Sequence, residues 1–125
     1  MPTTDPTNPK RYWHTTGSRG EFQFGFSRAI RHGSVVSDDV IEQMRAALQT
    51  MKEALAELGC KMNDVIMTRV YVQNASDIQS VAVVHGETFR DIRPASTIVK
   101  VDFIDRKILV EIEAEAVYGG ADDKA

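Results

Sequence analysis

The sequence predicts an α+β fold in which two helices pack on one face of a single mixed β-sheet. Two observations support this prediction. Apolar residues recur every three or four positions in two segments and at every second position in several others, which is typical of helices and strands respectively. In addition, two amphipathic helices are too few to cover both faces of a sheet of four or five strands, so both are expected on the same face.

The size of the chain indicates one domain. It has 125 residues, of which 42% are hydrophobic and 26% charged, close to the average for soluble globular domains. We expect an N-terminal tail over residues 1–21, one folded domain over residues 22–118 and a short polar tail over residues 119–125.

The composition argues against several functional classes. The net charge of −3 disfavours a nucleic-acid-binding surface, which is usually basic. No apolar run reaches the ~18 residues that a membrane span needs, and the N-terminus lacks the basic and apolar segments of a signal peptide. Because Cys60 is the one cysteine, no intrachain disulfide is possible. We therefore expect a cytoplasmic protein that binds neither membranes nor nucleic acid.

The first predicted elements are a strand, a turn and a helix. Residues 22–30 alternate between apolar and polar or small residues, and a short return strand is expected over residues 34–36. The period then changes, which predicts an amphipathic helix from Val40 to Leu58. Ser37 is the predicted N-cap of this helix and Gly59 its predicted stop.

A second strand-rich half follows. Residues 64–73 are rich in β-branched residues and predict a strand. The residues assigned to the core are Ile66, Thr68, Val70 and Val72, and those assigned to the opposite face are Met67, Arg69 and Tyr71. Ser76 opens the second helix with capping-box spacing, and the helix is expected to end at Phe89, before Pro94.

Two strands are predicted at the end of the chain, over residues 96–103 and 107–118. In the last strand apolar residues alternate with Glu111, Glu113 and Glu115, which are expected to face away from the helices. A sheet face that mixes aromatic and charged residues is seldom left bare in water. We therefore expect subunits to associate through this face.

Five segments in this order make the chain resemble the YjgF/Rid family, the reactive intermediate deaminases that are also described as L-PSP endoribonucleases. They are residues 25–33, 43–59 and 64–72, followed by Arg-Pro-Ala-Ser-Thr over residues 93–97 and Leu-Val-Glu-Ile-Glu-Ala over residues 109–114. The resemblance implies a YjgF-like, chorismate-mutase-like fold that forms a homotrimer around a central β-barrel. It also implies small-molecule clefts between subunits, and hydrolysis of enamines or imines to a keto acid and ammonia without a metal or cofactor.

Three pocket positions depart from the deaminating members of that family. Ser96 stands where their Pro-Ala-Arg motif has an arginine that binds the substrate carboxylate, and a hydroxyl cannot replace a bidentate guanidinium. Phe26 stands in place of a tyrosine and Ala82 in place of an asparagine, whereas Glu111 matches the family's glutamate. The segment after Val36 is also shorter than is usual in the family.

Glu111 is the candidate catalytic residue, because the family's glutamate positions the attacking water and a carboxylate in a dry cleft can act as acid or base. The alternative is a solvated strand face shared with the neighbouring glutamates. The candidate substrate-binding residues are Phe26, Arg69, Ala95, Ser96 and Thr97. For Arg69 we favour an ion pair with a glutamate of the last strand over a role as an anion clamp. Ser96 and Thr97 are expected either to donate hydrogen bonds to a ligand or to cap the start of a strand.

We predict no metal site, because the three histidines show no ligand spacing with one another or with Cys60. His85 is interpreted as a half-buried helix residue and Cys60 as a packed residue rather than a nucleophile. Two functions remain in view. One is a Rid-like hydrolase or deaminase acting on an imine, enamine or related carbonyl metabolite, with little activity on standard 2-imino acids. The other is a non-catalytic trimer that binds a metabolite or a partner protein. The acidic balance disfavours a ribonuclease.

Overall fold

The computed structural model describes residues 3–5, 8–13, 26–28, 30–31 and 34–117, with side chains from Val36 to Val117. The described residues form eight strands and two α-helices. They are β1 (Thr3–Asp5), β2 (Asn8–Trp13), β3 (Phe26–Arg28), β4 (Ile30–Arg31), β5 (Ser34–Val35), α1 (Val40–Glu57), β6 (Val65–Val72), α2 (Ile78–Phe89), β7 (Ala95–Lys100) and β8 (Val110–Ala116).

The central sheet has four strands in the order β3–β8–β6–β7. β6 and β7 run parallel, whereas β8 is antiparallel to both β3 and β6. The predicted mixed sheet with two helices is therefore confirmed. The short return strand is also present, because β5 pairs with β4.

The N-terminal part differs in detail from the sequence interpretation. Within the predicted tail, β1 and β2 pair as an antiparallel ribbon that no periodicity had indicated. The predicted first strand is represented by β3 and by β4, which belong to different sheets. Residues 22–25 of that strand lie outside the described residues, and the division of the chain into three segments stays a prediction.

The start of α1 corrects one prediction. Its N-cap is Asp39, whose carboxylate accepts a hydrogen bond from the backbone N–H of Ile41 at 3.1 Å. Ser37, the predicted N-cap, instead accepts from the backbone N–H of Asp39 at 3.0 Å. The predicted end is confirmed, because Gly59 follows the helix with φ 76°, a left-handed conformation that glycine adopts without strain.

The start of α2 corrects a second prediction. A single 3₁₀ turn, Ala75–Asp77, precedes the helix, and Asp77 occupies the N-cap without a side-chain capping bond. The capping box expected at Ser76 is therefore absent. The helix ends at Phe89 as predicted. Arg93, immediately before Pro94, adopts φ 57°, outside the right-handed helical region that a following proline disfavours.

Both helices contribute to one apolar core on the same side of the sheet. We call this side the helix-covered face. In β8, Val110, Ile112 and Ala114 are buried as predicted. Fully buried side chains of the helices and of β6 complete this layer, and they include Met44, Met51, Leu55, Val65, Thr68, Val70, Val72 and Val81.

One core assignment is wrong. Ile66 is 45% exposed, whereas Val65 beside it is fully buried. The reason is a register shift between β6 and β8 at residues Val65 and Met67, which inserts an extra residue and breaks the simple alternation. From Thr68 onward the alternation is restored.

A buried amide joins α1 to the segment before β8. Gln43 is fully buried, and its Nε2 donates to the backbone carbonyls of Ser37 at 2.6 Å and of Lys107 at 2.9 Å. Its Oε1 accepts from the backbone N–H of Leu109 at 2.8 Å. These bonds satisfy main-chain groups that no secondary structure pairs, and they fix the entry into β8.

Candidate functional site

The side of the central sheet away from the helices carries most of the predicted site residues. We call it the helix-free face. Glu111 of β8 is level with Arg28 of β3 on one side and with Tyr71 of β6 on the other. The next row across the sheet consists of Phe26, Glu113, Arg69 and Thr97. Ala95 lies one row further, level with Met67.

A charged network occupies the middle of this face. The Nε of Arg69 donates to Oε1 of Glu113 at 2.8 Å, and its Nη2 donates to Oε1 of Glu115 at 3.3 Å. The hydroxyl of Tyr71 donates to the same Oε1 of Glu113. The prediction that Arg69 pairs with a glutamate of the last strand is therefore confirmed. A ligand anion would therefore have to compete with two carboxylates for this guanidinium.

The network shifts the proton affinities of its members. Burial alone would raise the pKa of Glu113, but the hydrogen bonds from Tyr71 and Arg69 outweigh it, and the pKa is lowered. The bond to Glu113 raises the pKa of Tyr71, and burial adds to that rise. Glu113 is thus held as a carboxylate and Tyr71 as a neutral phenol at neutral pH.

Glu111 stands one row away from this network. Glu111 is half-buried, and it lies on the side of β8 opposite to the buried Val110. The structure thus places Glu111 on the same face as Thr97, Ala95 and Arg69, although Thr97 lies level with Glu113 rather than with Glu111. Tyr71 is the neighbour of Glu111 in register, and the sequence did not single it out as a site residue. Strand alternation predicts which face of the sheet Tyr71 lies on, but its neighbours on that face depend on the register between strands.

Ser96 lies on the other side of the sheet. It is level with Thr68, and the two hydroxyl oxygens are 2.8 Å apart. The Nε2 of His85 on α2 lies 2.8 Å from Oγ1 of Thr68 and 3.4 Å from Oγ of Ser96. Within one chain, therefore, the sheet separates Ser96 from Glu111. His85 is half-buried as interpreted, and its ring contacts Phe89 at a centroid distance of 4.7 Å.

Cys60 matches its interpretation as a packed residue. It is buried, and burial together with the charge of Asp64 raises the pKa of its thiol. A thiol with a raised pKa stays protonated at neutral pH and is a poor nucleophile.

A polar cavity of about 610 Å³ lies beyond the ends of β6 and β7. Its lining includes Gln73, Asn74, Lys100 and Arg106, and none of the predicted site residues. We therefore place the candidate site on the helix-free face and not in this cavity.

Within the part of the chain that the structure describes, no three or more His, Cys, Asp or Glu side chains group in a way that could hold a metal ion. In the same part, neither helix has the length and apolar character needed to cross a bilayer.

Comparison with known proteins identifies the family. Residues 14–118 match the family model described as Endoribonuclease L-PSP. The chain belongs to this family, which is the YjgF/Rid family that its sequence resembles. An uncharacterized protein of Streptomyces coelicolor is 36% identical over 123 residues, covering 86% of this chain and 92% of that protein. A mouse 2-iminobutanoate/2-iminopropanoate deaminase is 33% identical over 87 residues, covering 70% and 64% respectively.

Solved structures agree with this assignment. A Mycobacterium tuberculosis member of the YjgF/YER057c/UK114 family superposes with a TM-score of 0.66 at 35% identity, covering 74% of this chain and 75% of that one. The Escherichia coli YjgF structure gives a TM-score of 0.66 at 27% identity, covering 75% and 77%. The predicted fold class is thereby confirmed.

Proposed function

We propose that the protein hydrolyses a small imine, enamine or related carbonyl metabolite, releasing ammonia. The observation that carries this proposal is Glu111, a half-buried carboxylate at the family's glutamate position, on a sheet face that no helix covers. Relatives named 2-iminobutanoate/2-iminopropanoate deaminase support the same reaction class.

The proposed chemistry needs only a positioned water and a carboxylate. Glu111 accepts a proton from water as the water oxygen attacks the carbon of the protonated imine, which gives a neutral carbinolamine. The same carboxyl group then returns that proton to the nitrogen, which makes it an ammonium leaving group. The carbon–nitrogen bond breaks with its electron pair going to ammonia, while the carbinolamine hydroxyl gives its proton to Glu111 and becomes the carbonyl group; Glu111 then releases this proton to solvent. No metal or organic cofactor enters this scheme.

Ser96 limits the choice of substrate. It replaces the arginine that resemblance to the deaminating members would place against a substrate carboxylate, and it lies on the face opposite Glu111 within one chain. Loss of a buried bidentate carboxylate contact costs on the order of 2–5 kcal/mol, or roughly 30-fold to several thousand-fold in affinity. We therefore propose that the preferred substrate carries no carboxylate next to the reacting carbon and that standard 2-imino acids are turned over weakly.

We further propose that the protein acts in the cytoplasm as a homotrimer, with its ligand clefts between subunits. The exposed apolar residue Val99 and the half-buried Met67 lie on the helix-free face beside the charged network, and association would cover them. Light scattering is expected to give about three times the 13.9 kDa of one chain. A stable monomer at micromolar concentration would contradict this assembly.

Ammonia release from a neutral imine, generated in place by an amine oxidase, tests the proposed reaction. The wild-type protein is expected to accelerate release above the spontaneous rate, and Glu111→Gln to lower kcat by about 100-fold or more, as removal of a general base typically does. The matched control is Glu53→Gln on the outer side of α1, whose carboxylate bonds only Gln49 among the described contacts. Equal loss in both variants, or no acceleration by the wild type, would overturn the proposal.

A further inference from the structure

Three polar side chains meet between α2 and the neighbouring strands β6 and β7. Thr68 and Ser96 come from neighbouring strands at the same level, and His85 comes from the middle of α2. The oxygen of Thr68 lies 2.8 Å from both Oγ of Ser96 and Nε2 of His85. Thr68 is therefore a bridge between a serine hydroxyl and an imidazole.

The three side chains differ in their exposure to solvent. Thr68 is 1% exposed, His85 is half-buried, and Ser96 is exposed. A small molecule can thus reach the Ser96 hydroxyl, which connects to the imidazole through the buried Thr68 or directly across 3.4 Å. Burial lowers the pKa of His85, so the imidazole is neutral at pH 7 and one ring nitrogen is an acceptor.

The hydroxyl protons can be arranged in two ways. In one, His85 donates to Thr68, Thr68 to Ser96, and Ser96 to the carbonyl oxygen of Pro94, which lies 3.1 Å away. In the other, the chain is reversed, so that Ser96 donates to Thr68 and Thr68 donates to Nε2 of His85. Rotation of two hydroxyls and the other imidazole tautomer interconvert them. Only the second arrangement gives the serine proton a path to a base.

We propose that Ser96 is a nucleophile that accepts acyl groups from small esters, with Thr68 passing its proton to His85. This reaction differs from imine hydrolysis in using Ser96 and not Glu111, which lies on the opposite face of the sheet within one chain. Ser96 is the catalytic residue, since it bonds to the acyl carbon. Thr68 and His85 are positioning and relay residues that act through it.

Acylation of Ser96 needs no reactant other than the ester. Oγ of Ser96 forms a bond to the ester carbonyl carbon, its proton moves to Oγ1 of Thr68, and the Thr68 proton moves to Nε2 of His85. The bond between that carbon and the leaving-group oxygen then breaks. The leaving group departs with the bonding electron pair and takes up a proton from His85 along the same path. The products are O-acyl Ser96 and an alcohol or phenol.

p-Nitrophenyl acetate is a suitable probe for the full-length protein. We expect a burst of nitrophenolate and an acetyl group on Ser96, found by fragmentation of the tryptic peptide over residues 91–100, which contains both Ser96 and Thr97. Ser96→Ala should abolish this label. Thr68→Val, which keeps the shape but removes the hydroxyl, and His85→Gln should each slow it by about 100-fold. Ser76→Ala, at an exposed serine, is the control and should label like wild type.

The pH profile separates a relay from a merely structural role. The side chains that contact His85 here, Thr68, Ser96 and Phe89, carry no charge, so labelling in the wild type should fall with protonation of His85, below its ordinary pKa of 6.5. His85→Gln should lose this step. Acetylation spread over other residues in Ser96→Ala, or unchanged Ser96 labelling in a folded Thr68→Val protein, would overturn the proposal.

Discussion

On the helix-covered face of the central sheet, Val70, Val72 and Ile112 are fully buried, whereas the alternating residues of the same strands on the helix-free face are charged or half-exposed. The two faces thus share a backbone but not an environment. On the first, apolar burial stabilises the fold, at roughly 25 cal/mol for each Å² removed from water. On the second, Arg69 and Glu113 pair at a surface that water reaches.

The two faces differ in how freely their residues can be substituted. A close-packed apolar face resists change, because a lost methyl group leaves a cavity. A face of exposed and half-buried polar groups can change its residues with little effect on folding. The departures from the family pattern at Ala82 and Ser96 likewise fall at exposed positions outside the apolar core.

The largest effect is expected at Gln43, the buried amide under the helix-covered face. Gln43→Leu leaves three main-chain groups without their partner, and each buried unsatisfied group costs about 1–3 kcal/mol, so we expect a loss of about 3 kcal/mol in the free energy of unfolding. The control is Gln49→Leu, because Gln49 lies exposed on the same helix. Urea denaturation of both variants measures the difference. Equal stability of the two would show that the buried amide is dispensable.

A matched pair of valines compares the two faces directly. Val70→Ala empties fully buried space and is expected to cost about 2 kcal/mol at every protein concentration. Val99, level with Tyr71 on the helix-free face, is 38% exposed. Val99→Ala is expected to act on subunit association, so its effect should depend on protein concentration. If Val99→Ala lost as much free energy of unfolding as Val70→Ala at all protein concentrations, the two faces would not differ as proposed.

The smallest effect concerns acid sensitivity of the helix-free face. The pKa of Glu113 is lower in the folded protein than its ordinary value of 4.5, so its ionised form favours folding. This contribution is complete above the ordinary pKa and is lost as the pH falls through the lowered one. Glu113→Gln should therefore lose less stability than wild type between about pH 6 and about pH 3. Parallel losses in thermal melts would mean that the network does not favour the carboxylate.

Much of the fold follows from local patterns in the sequence. The alternation of β8 and the spacing in α1 predicted most of the buried residues, and the alternation of β6 predicted that Arg69 would lie with the glutamates. The errors arose where the outcome depends on more than one element. Ile66 was misplaced because a register shift against β8 cannot be read from β6 alone. Ser37 was predicted as the N-cap and the structure has Asp39, because both residue types cap helices well and the sequence alone does not distinguish them.

The candidate site was harder to predict than the fold. Strand parity assigns each residue to a face, but the register between strands determines its neighbours, and register is set by pairing over long sequence separations. Ser96 and Thr97 are adjacent in sequence, yet they lie on opposite faces, one with Thr68 and His85 and the other with Arg69. Alternation likewise placed Tyr71 on the correct face, but it did not predict the hydrogen bond from the Tyr71 hydroxyl to Glu113.

The proposed imine hydrolysis depends on Glu111 and does without an arginine clamp. Its most direct test is the ratio of kcat/KM for ammonia release from two imines of similar size, one bearing a carboxylate and produced by an amino acid oxidase, the other neutral and produced by an amine oxidase. We predict that kcat/KM for the neutral imine is at least as high as that for the 2-imino acid. A preference for the 2-imino acid of roughly 30-fold or more, the scale of a retained carboxylate contact, would contradict it.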